Sequence, residues 1–589
     1  MPIRLARTAL LRLLAVMLAF VLIAAACGGG DDDSAGDVAT DSGDDSADDS
    51  DSDDADDGDD EQSATPTVTV AEPEPEDTGP VSGGTLRVAV EAETDGLNPV
   101  ANNFAVSAYL MAFTMIEPVA YYDQDGNWFP WLAESFTPIE GTSSWQMKLR
   151  EGIKFHDGSE LDADDIIANF NGQLTDPLIS LAVRPNFPEE NQIEKIDDYT
   201  VQYNLIRPSA HFPVNLTSQL GMVVPSEYVA AAAENGELHQ QPIGTGPYML
   251  ESRTQDDVTV VVKNPDYWAG TDNVYLDRIE FHIVTDTAIA AERVAAGDLD
   301  VVITSNPDAI LTLQDAAGVT AHQNLLSGEN DIMMNTRKAP FDDIRARQAL
   351  TFAADREGYA SLIGQGTSPL ADSMFHPELD WNNPDVVQEG NMPDRAGPLV
   401  TDYCADNPDN CTDGKINIEL QYSGPSVTQT RIADLLTAGW EPYFNITEQE
   451  LLQDQHIIEV ALGMYDVVTW RQFGAVDPDN EVVWLECATA EGGITLNWVR
   501  VCNPDRDALL FEQRATDDRD RRIEIWQQIQ QEMNETYAYI FTTHANWTVG
   551  VSDKVRNICG QTSPEATGSM VLNCNNQGRY FFHGVWLAE

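Results

Sequence analysis

The side chains able to do chemistry in this 589-residue chain are numerous but poorly assembled. Nine histidines are scattered along it. No two stand at metal-ligand spacing, and there is no H-E-x-x-H run, no G-x-S-x-G elbow and no phosphate-cradling Walker loop. Gly244-Thr245-Gly246 is not a dinucleotide fingerprint, because Pro247 interrupts the point where a helix must start. His156-Asp157 has the composition of a catalytic pair. Neighbours on a strand point to opposite faces, however, so it reads as a strand end followed by a turn-forming Asp-Gly. The 98 acidic residues are too many for one acid–base pair to stand out. The chemistry argues for no enzyme, no cofactor and no metal.

The cysteines are more informative. Arg4, Arg7 and Arg12 precede an apolar run from Leu13 to Ile23, and small residues lead to Cys27. That is a secretory signal over residues 1–26, its apolar run shorter than the ~20 residues of a membrane span. Ala24-Ala25-Ala26-Cys27 resembles a bacterial lipobox, which implies lipid on Cys27. An ordinary cut at the same bond would leave a plain thiol there. The other six cysteines fall in local pairs: Cys404 with Cys411, Cys487 with Cys502, and Cys559 with Cys574. In an exported chain this spacing reads as three disulfides. A zinc site would need C-x-x-C or a nearby His pair, which is missing.

Net charge is −66. Between Gly28 and Pro80 there are 21 acidic residues and no basic one, so residues 27–82 read as an extended tether unable to bury a core. The body is still near −48 once the three signal arginines are set aside. Such a surface repels nucleic acid and anionic headgroups.

The elements that position any site mix strands and helices throughout, an α/β class. Leu86, Val88 and Val90 alternate as a strand, Trp145 to Gly158 reads as two short strands around a turn at Glu151-Gly152, and Leu299 to Ile303 is a strand after a helix capped by Asp286. Asp342 opens a helix. A strand from Ile416 to Tyr422 precedes a helix with Ile432, Leu435, Leu436 and Trp440 on one face. Another strand, Tyr465 to Trp470, runs into Arg471-Gln472-Phe473. The last long helix carries Ile523, Trp526, Ile529 and Met533. Ligands gather at the carboxyl ends of strands in open α/β sheets, which singles out Trp470 and Arg471.

An ordered set of short motifs is similar to one family. It runs from Gly83-Gly84-Thr85-Leu86 and Asp95-Gly96-Leu97-Asn98-Pro99 through Phe155-His156-Asp157-Gly158, Gly244-Thr245-Gly246-Pro247-Tyr248 and Asn264-Pro265-Asp266-Tyr267-Trp268. It ends with Gly297-Asp298-Leu299-Asp300-Val301, Arg347-Gln348-Ala349-Leu350 and Asp355-Arg356-Glu357. The set resembles the extracellular solute-binding proteins of the dipeptide, oligopeptide and nickel type that feed ABC importers. The resemblance implies a two-lobed periplasmic-binding-protein-like fold with a hinge. Lobe I would comprise residues 83–119, 243–326 and 543–589, an extra domain 120–242, and lobe II 327–542. It implies a monomer outside the cell, lipid-anchored to the membrane, capturing a peptide or peptide-like solute for a permease. A sensor or a binder of sugar-like or anionic solutes shares that fold. A secreted hydrolase is the reading from another class.

In dipeptide-binding relatives, the strand ending in Trp is followed by an Asp that pairs with the ligand's α-ammonium. Here Arg471, Gln472 and Phe473 follow Trp470, and the nearest acid is Asp477. The expectation is therefore a solute other than a simple dipeptide, larger and partly apolar or anionic. Arg471 would be a fork for carboxylate, Trp470 and Phe473 apolar walls, Tyr422 and Ser423 hydroxyl donors, and Asn103 and Tyr109 contacts from the other lobe.

Overall fold

The computed structural model describes residues 79–122, 127–139, 141–326, 328–475, 477–558, 582 and 584–588. The signal, Cys27 and the tether up to residue 78 lie outside the described residues.

Three sheets organise the body. The first has seven strands, and its central strand, Thr85–Val90, lies parallel to both Arg278–Ile283 and Val301–Thr304. One buried face was expected for it. The structure covers both: Leu86, Val88 and Val90 enter the main apolar cluster, and Ala89 packs with Ala290, Ala291 and Leu299 behind the sheet. A central parallel strand with helices on the far side has no solvated face. The second sheet sets Lys415–Ser423 beside parallel strands Phe444–Leu451 and Val467–Gln472. Antiparallel Glu329–Met334 and Tyr539–His544 follow. The third, four-stranded sheet spans residues 133 to 204. After Glu151-Gly152 only an isolated bridge, Lys154 to Glu160, replaces the expected second strand.

The chain passes between the first two sheets at residues 325–328 and 545–546. These crossings are adjacent, since Ala545 N donates to Gly328 O at 2.8 Å. The helices follow their apolar stripes. Val427–Trp440 buries Ile432, Ala433, Leu436 and Trp440 under a Ser426 cap. In Arg519–Thr536 the buried stripe runs through Ile525, Trp526, Ile529 and Met533, with Ile525 in place of the expected Ile523. The helix expected at Asp342 spans Ile344–Ala353, with Asp343 as its cap.

The motifs that suggested a family are joints. Glu117, 1% exposed, accepts from Trp131 Nε1 (2.8 Å), Thr245 Oγ1 (2.7 Å), Tyr267 Oη (2.7 Å) and Trp268 Nε1 (2.8 Å). Four donors offset the desolvation that raises its pKa. His156 is tied into the same joint. Gly244 N donates to its Nδ1 and its Nε2 reaches Gly246 O, which selects the neutral Nε2–H tautomer. Desolvation pushes this imidazole down to about 4. Asp157 holds the turn by accepting from Ser159 N and Oγ.

Of the three disulfides expected, two are present among the described residues, Cys404–Cys411 and Cys487–Cys502. The third expected pair, Cys559 with Cys574, lies outside the described residues. No described helix is long and apolar enough to cross a membrane.

Candidate functional site

Strands Lys415–Ser423 and Val467–Gln472 run parallel and end at the same edge of the second sheet, where Glu329–Met334 begins. Both crossings leave from this edge. Residues alternate between faces of a strand. Trp470 and Gln472 therefore share one face, and Arg471 takes the other.

Arg471 spans the gap to the first lobe. Its guanidinium lies 4.1 Å from the Trp547 ring centroid and 3.7 Å from Glu91 Oε1, and Nη1 donates to Ser305 Oγ. Its side chain keeps 33% of its area open to solvent. Desolvation lowers its pKa, with Glu91 opposing. Further polar pairs bridge the lobes nearby: Asn306 Nδ2 to Thr428 Oγ1 (3.1 Å), Arg431 Nη1 to Asp308 Oδ2 (3.3 Å) and Gln365 Nε2 to Asp308 Oδ1 (2.7 Å). The apolar clusters of the two lobes are separate.

The family model described as bacterial extracellular solute-binding proteins, family 5, matches residues 127–493, more than half of the chain. The chain belongs to that family. Its members bind solutes and are not enzymes. The chain is 24% identical over 484 residues to a di/tripeptide-binding protein of Pseudomonas aeruginosa, covering 78% of this chain and 89% of the relative. Among solved structures it is similar to the periplasmic binding protein DppA of Helicobacter pylori in complex with the peptide STSA. There the TM-score is 0.76 at 19% identity, covering 86% and 99% of the two chains. The oligopeptide-binding AppA of Bacillus subtilis, bound to a nonapeptide, gives 0.72 at 21%, covering 87% and 100%. The architecture is two-lobed α/β.

In this family 5 protein the expected site residues separate. Trp470 is half-buried, and its ring neighbours are His456 at 5.2 Å and Trp498 at 5.8 Å. Phe473 is 5% exposed and packs on Tyr539 and Phe541, so it is core and not a pocket wall. Its φ of 61° puts a bulky residue in the left-handed region, a strained turn out of the strand. Asp477 is committed elsewhere: Arg522 grips it with two contacts, 2.5 and 3.0 Å, and its Oδ1 also accepts from Asp479 N. Tyr422, 6% exposed, sits in the apolar cluster on the face opposite Trp470, while Ser423 is half-buried at the strand end. Tyr109 packs edge-on to Phe104, and Asn103 is exposed. Arg471 is already stacked and paired, which removes it as a ready anion fork.

Sequence reasoning missed Glu329, Asp331, Gln472 and His544, all buried on the Trp470 face. The available signal was Glu329-Asn330-Asp331 directly ahead of Ile332-Met333-Met334, acids at alternate positions of a strand that must be covered.

Proposed function

We propose that this protein captures a peptide-like solute outside the cell between its two lobes and delivers it to a membrane permease. The lobes would be residues 83–119 with 243–326 and 543–589, and 327–542, with 120–242 as an added domain. They would swing about the adjacent crossings. The observation that carries this reading is the lobe interface. Beside Arg471 it is made of polar pairs between separate apolar cores, so the two sheets can part there without exposing a core, while the added domain packs Leu178, Leu181 and Ala182 on the second lobe elsewhere. The peptide-binding relatives support the class of solute. Lipid on Cys27 would tether the monomer through its acidic linker. A third disulfide would join Cys559 to Cys574.

The test is native mass spectrometry of co-purified material, then calorimetry with peptides of two to six residues. A peptide bound without turnover supports the reading. Hydrolysis of the peptide, or no affinity for any of them, overturns it. For the anchor, Cys27→Ser should release protein or leave the signal uncut. A fully processed variant that stays with the membrane refutes it. For the third disulfide, thiol titration of the unfolded, unreduced body should find no free thiol at Cys559 or Cys574, and two reactive thiols there refute it.

A further inference from the structure

The face of the second sheet that carries Trp470 holds more unsatisfied polarity than a packed core tolerates. The register lays three rows across it: His544, Glu329 and Gln472; Phe541, Asp331 and Trp470; Tyr539, Met333 and Val468. Residues opposed on antiparallel strands point the same way, with Cβ atoms about 5 Å apart. Glu329, Asp331 and Gln472 are 1%, 2% and 8% exposed. Both carboxylate oxygens of Asp331, Glu329 Oε2, both amide atoms of Gln472 and the Tyr539 hydroxyl have no hydrogen-bond partner among the described residues. Buried polar groups are ordinarily paired, and a concentration of exceptions calls for a partner from outside the chain or from solvent.

The charge balance says what. Glu329 Oε1 meets His544 Nδ1 at 3.1 Å. Desolvation, and then His376, push that imidazole down to about 3, so it is neutral. Arg506, beside Tyr539, is held by Glu532 at 3.0 Å and Val501 O at 2.8 Å. Neither acid has a cationic partner among the described residues, and burial drives both carboxyls well up. The contrast is Glu117, equally buried, which the fold supplies with four donors. Trp470 and Phe541 flank Asp331 in its row, and aromatic faces attract cations. Leu178 and Leu181 of the added domain pack against the apolar cluster that covers this face, so that cluster reaches a second domain.

We propose that this polar space receives a positively charged group of the solute, an ammonium or guanidinium. Asp331 and Glu329 are its counter-ions, and Gln472 and Tyr539 complete its hydrogen bonds. The proposal rests on the reading of the protein as a binder of peptide-like solutes and narrows it to cationic ones. It reverses the anionic preference that Arg471 suggested.

The experiment is calorimetry on the full chain and on the isosteric variants Glu329→Gln and Asp331→Asn, checked for folding by circular dichroism. Ala-Lys-Ala and Ala-Arg-Ala should bind at least ~10-fold tighter than Ala-Glu-Ala, and Asp331→Asn should weaken the lysine peptide about 30-fold or more, the usual cost of unpairing a buried charge. Two arms separate the source of the charge: N-acetyl-Ala-Lys-Ala offers only the side-chain ammonium, and Ala-Ala-Ala only the α-ammonium. Peptide binding without charge preference, unchanged in both variants, overturns the proposal and leaves the peptide reading standing. Failure of every peptide overturns that reading instead. Agmatine and spermidine then test the acids alone: binding lost in the variants supports the proposal, and no binding overturns it. Variants that gain thermal stability and bind every probe as the parent does show a solvent-filled space, which also overturns it.

Discussion

Arg471→Ala should unlatch the lobes. Three contacts of this side chain cross the gap and vanish when it opens: the stack on Trp547, the hydrogen bond to Ser305 and the pairing with Glu91. A partly desolvated cation–π contact contributes about 1–2 kcal/mol. The solvent-exposed hydrogen bond to Ser305 adds about 1 kcal/mol, the ordinary net value. The ion pair, at 3.7 Å with the arginine one-third exposed, contributes no more than about 0.5 kcal/mol after solvent screening. The total, about 3 kcal/mol, moves the open–closed equilibrium roughly 100-fold toward open, at ~1.4 kcal/mol per factor of ten. A pair of fluorophores, one on each lobe, reads this without knowing the solute. The variant should show a longer mean separation when empty, and weaker solute binding through a faster off-rate. Arg471→Lys should fall between, because it keeps the charge and loses the planar stack. An Arg471→Ala protein with unchanged separation would refute the reasoning, since the three contacts would then be consequences of closure with no share in its energy.

Asp477→Asn should cost stability and not affinity, because it leaves the buried Arg522 guanidinium (4% exposed) without its counter-ion; about 3 kcal/mol is expected in urea unfolding, with solute binding intact. Two contributions to the pH dependence of stability oppose each other. Glu486 is raised by desolvation from 4.5 to about 7, so its folded state favours the proton and stability falls by about 3 kcal/mol as pH climbs between those values; Glu486→Gln should abolish that slope. On the acid side His156 and His456, each pushed by burial from 6.5 to about 4, take protons only on unfolding, so stability also falls as pH drops below 6.5. Replacing Cys487 and Cys502 together by serine should remove about 2–3 kcal/mol, the share of a loop of 15 residues, and leave binding unchanged if the loop only braces the site.

Much of the fold was legible because its signals are local. Alternation gave the strand through Ile416 and Tyr422, and spacing gave the stripe ending at Trp440, since each element buries the side its own period presents. Two short cysteine spacings became disulfides for the same reason, while Cys559 and Cys574 fall outside the described residues. The site was less legible because it is assembled across strands. That Trp470 and Arg471 are adjacent in sequence made them look like partners, yet a strand sends them to opposite faces, one toward Trp498 and the other toward Trp547. Phe473 looked like a ligand wall, but the left-handed turn at that residue folds it back under Tyr539.

The acids carry the argument furthest. In the sequence, Glu329 and Asp331 are two carboxylates among 98, and nothing distinguishes them from a solvated edge. Their meaning comes from the strands on either side: Tyr539–His544 and Val467–Gln472 flank them, and neither strand brings a cation to this face, since Arg471 takes the other. Had either flank supplied an arginine at the position of Gln472 or Phe541, the pair would be an internal salt bridge and say nothing about a solute. Asp477 and Arg522 are that case in the same lobe, and Asp477 is the acid nearest to Trp470 that follows it in sequence. What separates a binding acid from a structural one here is therefore the absence of a built-in counter-ion at a buried position, a property of three strands together and of no single stretch of chain.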